Sequence, residues 1–152
     1  VPENEKEEIA FQCAAQAVAM LRNRFDLHAV EQVLFAPEPK IAGTADLVMR
    51  QGQRFWIIDW KTNEDIKREG YDCGLSGFAH VPNANFWHYA IQTSIYEAIA
   101  LNERFVPASA IEIERAIVHI PPFSTRPQWM PMPNMRAEAM RIIKQHKERI
   151  NK

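Results

Sequence analysis

The chain has 152 residues, 47% hydrophobic and 24% charged, which is the length and mix of one globular domain over 1–152 and excludes a disordered tail, a collagen-like fibre and a disulfide scaffold. Two cysteines, Cys13 and Cys73, exclude a zinc ribbon or a four-cysteine iron–sulfur cluster and fit a reducing, cytoplasmic compartment. Eighteen Lys+Arg against nineteen Asp+Glu, net −1, lack the basic excess of a non-specific nucleic-acid coat, although a protein holding DNA in one local groove does not need it.

No run approaches the ~20 apolar residues of a membrane span, and no signal peptide opens the chain. It begins on Val1 and reaches a helix almost at once, so a fragment lacking an upstream helix or segment is one expectation. Asn4 and Glu7 have capping-box spacing, and Ile9, Cys13, Val18, Leu21 and Phe25 predict an amphipathic helix to about Arg24. His28–Phe35 reads as a first strand. Ile41–Arg50 and Gln53–Lys61 are two more, joined as a hairpin at Gln51-Gly52-Gln53. Asn63–Asn83 has few periodic apolar positions and is expected as a functional lid or mobile segment. Asn85–Asn102 returns to helical spacing with Trp87, Ile91, Ile95, Ala98 and Ile99, and Ile111–Ile120 reads as a fourth strand. Pro121–Pro133 is a proline-rich connection. Asn134 is expected to cap a last helix carrying Met135, Ala139, Ile142, His146 and Ile150 on one side.

The hairpin is where the pattern becomes chemically specific. Symmetry about Gly52–Gln53 pairs residues whose numbers sum to 105 and sets Asp46 across from Asp59. Alternation then puts Thr44, Asp46 and Val48 on one face with Ile57, Asp59 and Lys61. Opposed β-carbons lie about 4.5–5.5 Å apart, so two carboxylates there repel by about 3 kcal/mol at an effective dielectric near 20. A divalent cation would remove that repulsion, and Mg²⁺ needs only one or two carboxylates beside water or phosphate oxygens. Lys61 could then orient a water or stabilise phosphate charge in a transition state. An acid two residues before a lysine also occurs at Glu38-Pro39-Lys40 and Asp65-Ile66-Lys67. Only Asp59-Trp60-Lys61 closes an apolar strand and faces a second aspartate. The plain alternative is a cross-strand salt-bridge cluster.

Ile41-Ala42-Gly43-Thr44-Ala45-Asp46, then Ile57-Ile58-Asp59-Trp60-Lys61-Thr62, then Gln92-x-x-x-Tyr96 resembles the PD-(D/E)XK nuclease superfamily. The RecB-like exonuclease branch is the nearest pattern, with a GxxD strand, a DxK-T strand and a QxxxY helix. The run Asn85–Gln92, with Met132 and Pro133, is similar to versions carried by phages and large DNA viruses, which implies an intracellular setting such as an infected host. The resemblance implies that Asp46 and Asp59 bind the metal, with the Trp60 backbone carbonyl as a further ligand and Lys61 as the catalytic lysine. Glu31 resembles the upstream acid that supports the metal or its waters; the alternative is a solvated strand glutamate. Gln92 and Tyr96, four apart on a helix, would place DNA or the lysine; the alternative for Tyr96 is a core aromatic. His88 extends that stripe toward substrate or is structural, and Lys67 and Arg68 contact phosphates or are solvated. Relatives often carry a histidine metal ligand on a helix upstream of the glutamate. The first helix here has none, and His28 falls where the first strand starts.

The expected fold is therefore α/β, a restriction-endonuclease-like core with a mixed central sheet of about four strands flanked by helices in the order αβββαβα. The expected activity is a Mg²⁺- or Mn²⁺-dependent deoxyribonuclease, an exonuclease acting on DNA in recombination, repair or replication. The alternative is a catalytically weak DNA-binding or scaffold module with a nuclease fold. A site-specific endonuclease is a third reading.

Overall fold

Tight turns make consecutive β-rich runs pair with their neighbours, and the first three do so. The computed structural model describes residues 4–74, 77–107, 109–110 and 112–152. It contains an antiparallel meander of β1 (Asp26–Ala36), β2 (Ile41–Gln51) and β3 (Arg54–Lys61). β4 (Glu112–His119) joins β3 in parallel, and β5 (Gln128–Pro131) adds antiparallel to β4, giving the order β1-β2-β3-β4-β5. Parallel neighbours need a crossover, and α2 (Asn85–Asn102) supplies it. With α1 (Glu5–Arg22) before the sheet and α3 (Arg136–Ile150) after it, the chain is α/β with a mixed five-stranded sheet and three helices.

The expected count of four strands was one short, and the order is αβββαββα. The missed strand, β5, lies inside the proline-rich connection and ends on Pro131. Proline is tolerated at such an edge, where no ladder donor is needed. Trp129 of β5 stacks on Phe25 with ring centroids 5.6 Å apart, which gives this short strand an apolar anchor. Ile111, expected to open β4, lies outside the described residues.

The centre of the sheet is buried on both faces, while β1 leaves Leu27, Val30, Val33 and Phe35 exposed. On one side Leu34, Val48, Phe55 and Ile57 pack with Ile99 and Ala100 of α2, while Ile117 packs with Phe86 and Ala90 of α2 and Met135 before α3. On the other, Met49, Ile58 and Val118 pack with Ala17 and Leu21 of α1. Phe55–Ile58 of β3 and Ala116–Val118 of β4 accordingly read as unbroken apolar runs, the pattern of parallel strands covered on both faces.

Helix ends follow local chemistry. Asn4 Oδ1 accepts from the Glu7 backbone N–H at 3.1 Å, as the capping spacing implied. The buried stripe of α1 is Cys13, Ala17 and Leu21, whereas Val18, expected in that stripe, is 44% exposed. The helix also stops at Arg22, two residues short of the expected end. Asn134 does not cap α3: Met135 holds the cap position, and Asn134 Oδ1 accepts from the Arg136 N–H one step outside.

Among its described residues, the segment between β3 and α2 has no helix and one isolated bridge, Cys73 to Pro82. It is pinned to the start of α2. Asn85 donates to the Asp65 carbonyl and accepts from the Lys67 N–H, and Trp87 donates to the Arg68 carbonyl. Among the described residues no helix is long and apolar enough to cross a membrane.

Candidate active site

The site begins at the β2–β3 turn. Gly52 has φ 63°, a left-handed conformation that glycine adopts without a β-carbon clash. It sets a register in which Gln51 pairs Arg54 and every later pair through Leu47–Ile58 sums to 105. The next positions are Asp46 and Asp59, where the ladder stops and the side chains take over. The Asp46 backbone N–H donates to Asp59 Oδ1 at 3.4 Å, and the Trp60 N–H donates to Asp46 Oδ2 at 2.8 Å.

A break in the pleat accompanies this hand-over. Ala45 and Val48 lie in one core cluster although three residues apart, and Ala29 and Leu34 share that cluster although five apart. Strict alternation forbids both. The slip falls at Asp46 on β2 and at its register partner Glu31 on β1, where φ is 47°. The pairs Val30–Leu47 and Gln32–Ala45 on either side keep one register, so the two slips cancel. The expectation that Thr44 shares the face of Val48 and Ile57 therefore fails. Thr44 is exposed opposite Val33, and Gly43 and Ala45 turn toward α2 instead.

Asp59 is 4% exposed. Burial pushes its carboxyl above the usual carboxylate range, against the pull of Lys61, and the nearby Asp46 carboxylate adds to the push. Lys61 Nζ lies 2.9 Å from Asp59 Oδ2 and 3.3 Å from Gln92 Oε1. Gln92 donates in turn to the Tyr96 hydroxyl at 3.2 Å, and burial raises the Tyr96 phenol above its ordinary range, with the Asp59 charge adding to it. The seat for Tyr96 is Gly43: a β-carbon there would fall 2.5 Å from Tyr96 Cε1. The glycine of the first motif and the tyrosine of the third thus occupy one space. The structure brings together Asp46, Asp59, Lys61, Gln92 and Tyr96.

The remaining sequence-derived candidates lie around this group. Glu31 is exposed on the edge strand, opposite Asp46 in register. His88 is exposed and lines a groove of about 410 Å³ with Ile41, Ile91, Gln92, Tyr96 and Ile142. Lys67 is exposed and held through its backbone at the start of α2. The Arg68 guanidinium lies 4.1 Å over the Phe86 ring, lining a depression with Trp87 and Met132. The Trp60 side chain packs on the α1 face beside Met49 and Ile58 while its N–H serves Asp46.

Three residues of the neighbourhood had no signal in the sequence. Tyr89 places its ring 4.5 Å from Lys61 Nζ, and its hydroxyl donates to Asn63 Oδ1 at 2.7 Å. His119 is buried with Nε2 2.7 Å from the Asn63 carbonyl. The parallel β3–β4 register, which sets Lys61 beside His119, is the one pattern that could have exposed the link.

Two carboxylates and one lysine leave a net negative charge at a broken ladder, beside an open groove. Among the described residues no three His, Cys, Asp or Glu side chains gather as a metal-holding group. Asp46 and Asp59 are the carboxylates here that could hold a hard cation, which needs only one or two beside water. No protein-family model matches the chain, and no curated protein matches it.

Proposed function

We propose that the chain is a metal-dependent DNA nuclease with a restriction-endonuclease-like core, an exonuclease of the PD-(D/E)XK kind. The observation that carries the reading is the Asp46–Asp59 pair at the end of the β2–β3 ladder, with Lys61 2.9 Å from Asp59. Two acids so close repel, and the Asp59 carboxyl is raised chiefly by burial, with the Asp46 charge adding a smaller push against the pull of Lys61.

Asp46, Asp59 and the Trp60 carbonyl would hold Mg²⁺ or Mn²⁺, with Glu31 supporting its water shell. When bound, the ion polarises the phosphate and eases ionisation of its water. The chain's own groups do the rest. Lys61 Nζ offers donors to charge developing on a phosphate oxygen or to the attacking water. Gln92 fixes the ammonium from the helix side, and Tyr96, seated on Gly43, fixes Gln92. His88 on the groove, with Lys67 and Arg68 at the start of α2, would meet the strand.

The near-neutral charge, eighteen Lys+Arg against nineteen Asp+Glu, favours a second reading, a DNA-binding or scaffold module of low activity. End-labelled DNA incubated with Mg²⁺, Mn²⁺ or chelator separates the two. The nuclease reading expects metal-dependent loss of label that disappears in Asp59→Asn. DNA binding without hydrolysis under any metal condition would establish the second.

A further inference from the structure

Lys61 is held on two sides by groups with a clear use, Asp59 and Gln92. The third side is the Tyr89 ring, 4.5 Å from Nζ to the centroid, inside the ~6 Å range at which a ring face attracts an ammonium. The ring is itself held. Its hydroxyl donates to Asn63 Oδ1, and the Asn63 carbonyl, which can only accept, takes a hydrogen bond from His119 Nε2. His119 is 3% exposed and pairs Lys61 across β3 and β4, while the Ile120 N–H donates to the Lys61 carbonyl at 2.8 Å. The anchor thus leaves the Lys61 backbone and returns to the Lys61 side chain through His119, Asn63 and Tyr89.

A lysine has four rotatable carbons and a point charge. With carboxylates nearby, the ammonium can swing among several acceptors, and only one direction serves a phosphate. We propose that Tyr89 is a positioning residue whose ring face fixes the Lys61 ammonium between Asp59 and Gln92, with Asn63 and His119 fixing the ring. The proposal rests on the nuclease reading for its catalytic consequence but not for its geometry.

The test uses Tyr89→Leu and Tyr89→Phe beside the wild type, with Tyr89→Met standing in if Leu does not fold. In ¹³C-lysine-labelled protein, the Lys61 ε-methylene signal is assigned by its loss in Lys61→Arg. It should lie upfield of the other lysines in wild type and Tyr89→Phe, and among them in Tyr89→Leu. In cleavage of end-labelled DNA, Tyr89→Leu should lower kcat about 10-fold with KM within about 2-fold, and Tyr89→Phe should recover to within about 3-fold. A Lys61 signal indifferent to Tyr89→Leu overturns the proposal. So does a lost ring shift with unchanged kcat, or a Phe variant as impaired as Leu. If the wild type hydrolyses no DNA, the nuclease reading falls separately, and the Lys61 signal alone decides whether Tyr89 holds the ammonium.

Discussion

Helix α2 faces two ion pairs on the sheet side, one that it completes with Glu97 and one held within β3, and they are built differently. Toward its C-terminal half, Glu97 meets Arg115 of β4, with side chains 8% and 5% exposed. Arg115 also donates to the Ile113 carbonyl, and the β3–β4 ladder runs on past it from Ile57–Arg115 to Lys61–His119. An arginine cannot shed its proton, so this pair is a permanent clamp between helix and sheet. Toward the N-terminal half, Gln92 and Tyr89 surround Lys61 and Asp59, where the β2–β3 ladder has just ended and a second acid stands unneutralised. Burial and ion pairing therefore do not by themselves mark a functional site. The interrupted ladder distinguishes the second pair from the first, because the Glu97–Arg115 pair also borders a depression and also has a second acid nearby, Glu114, 3.9 Å from Arg115.

The sharpest way to break that contrast is to cut each pair in turn. Glu97→Ala leaves a buried guanidinium without its partner and should cost about 3–5 kcal/mol, a fall of about 10 °C in melting temperature for a chain this long. The protein that remains folded should keep its specific activity. Lys61→Ala should do the reverse, losing at least about 100-fold in turnover, the scale of one preorganised electrostatic group, with little change in melting. Wild-type turnover from Lys61→Ala would make the two pairs equivalent and remove the catalytic assignment.

Smaller changes sharpen the same comparison. Gly43→Ala forces a β-carbon against Tyr96 and should cost about 1–3 kcal/mol by overpacking. Activity should fall with it as Gln92 loses its partner; unchanged activity would separate Tyr96 from the site. Gln92→Ala should impair cleavage more than stability, because a polar helix face is a poor core element. A large melting loss with normal turnover would return Gln92 to a structural role. The smallest effect on stability belongs to Asp59→Asn, even though cleavage should be lost. Burial raises the folded carboxyl above its ordinary 3.8, so the stability linked to Asp59 is complete below that value and lost as pH rises through the folded one. Without metal, the variant should match wild type in acid and equal or exceed it near neutrality. Millimolar Mn²⁺ should raise the melting temperature of wild type only. A variant less stable than wild type at neutral pH without metal would show that Lys61, and not burial, governs Asp59.

Much of this was legible in the residues. The turn glycine fixes the hairpin sum of 105, and that sum brings Asp46 to Asp59 without any tertiary information. Helix α2 has the predicted limits, Asn85–Asn102. What escaped has common causes. The slip at Glu31 and Asp46 breaks the constant period on which strand reading depends, so Thr44 was set on the wrong face. β5 is four residues long and flanked by proline, below the length at which alternation can be recognised. The Tyr89–Asn63 and His119–Asn63 bonds join residues 26 and 56 apart, and only the sheet register brings them together. Arg115 interrupts an apolar strand, and its buried partner on α2 has no local signature.

The paired slip also constrains how this hairpin can change in length over evolutionary time. Register is continuous across Glu31 and Asp46 because each strand makes the same displacement at the same level. Losing or gaining one residue in β1 alone would throw every pair on one side of that level out of step, sending core side chains to solvent. The same event in β2 alone would also carry Asp46 away from Asp59. Compensated changes, one in each strand at the shared level, keep both the sheet and the acid pair, whereas an uncompensated one is absorbed at the entry of β1, where the register shifts by one residue between Leu27 and Ala29. Length variants among descendants of this sequence should therefore gather in the Pro37–Lys40 turn and the segment before α2, and spare the strands between.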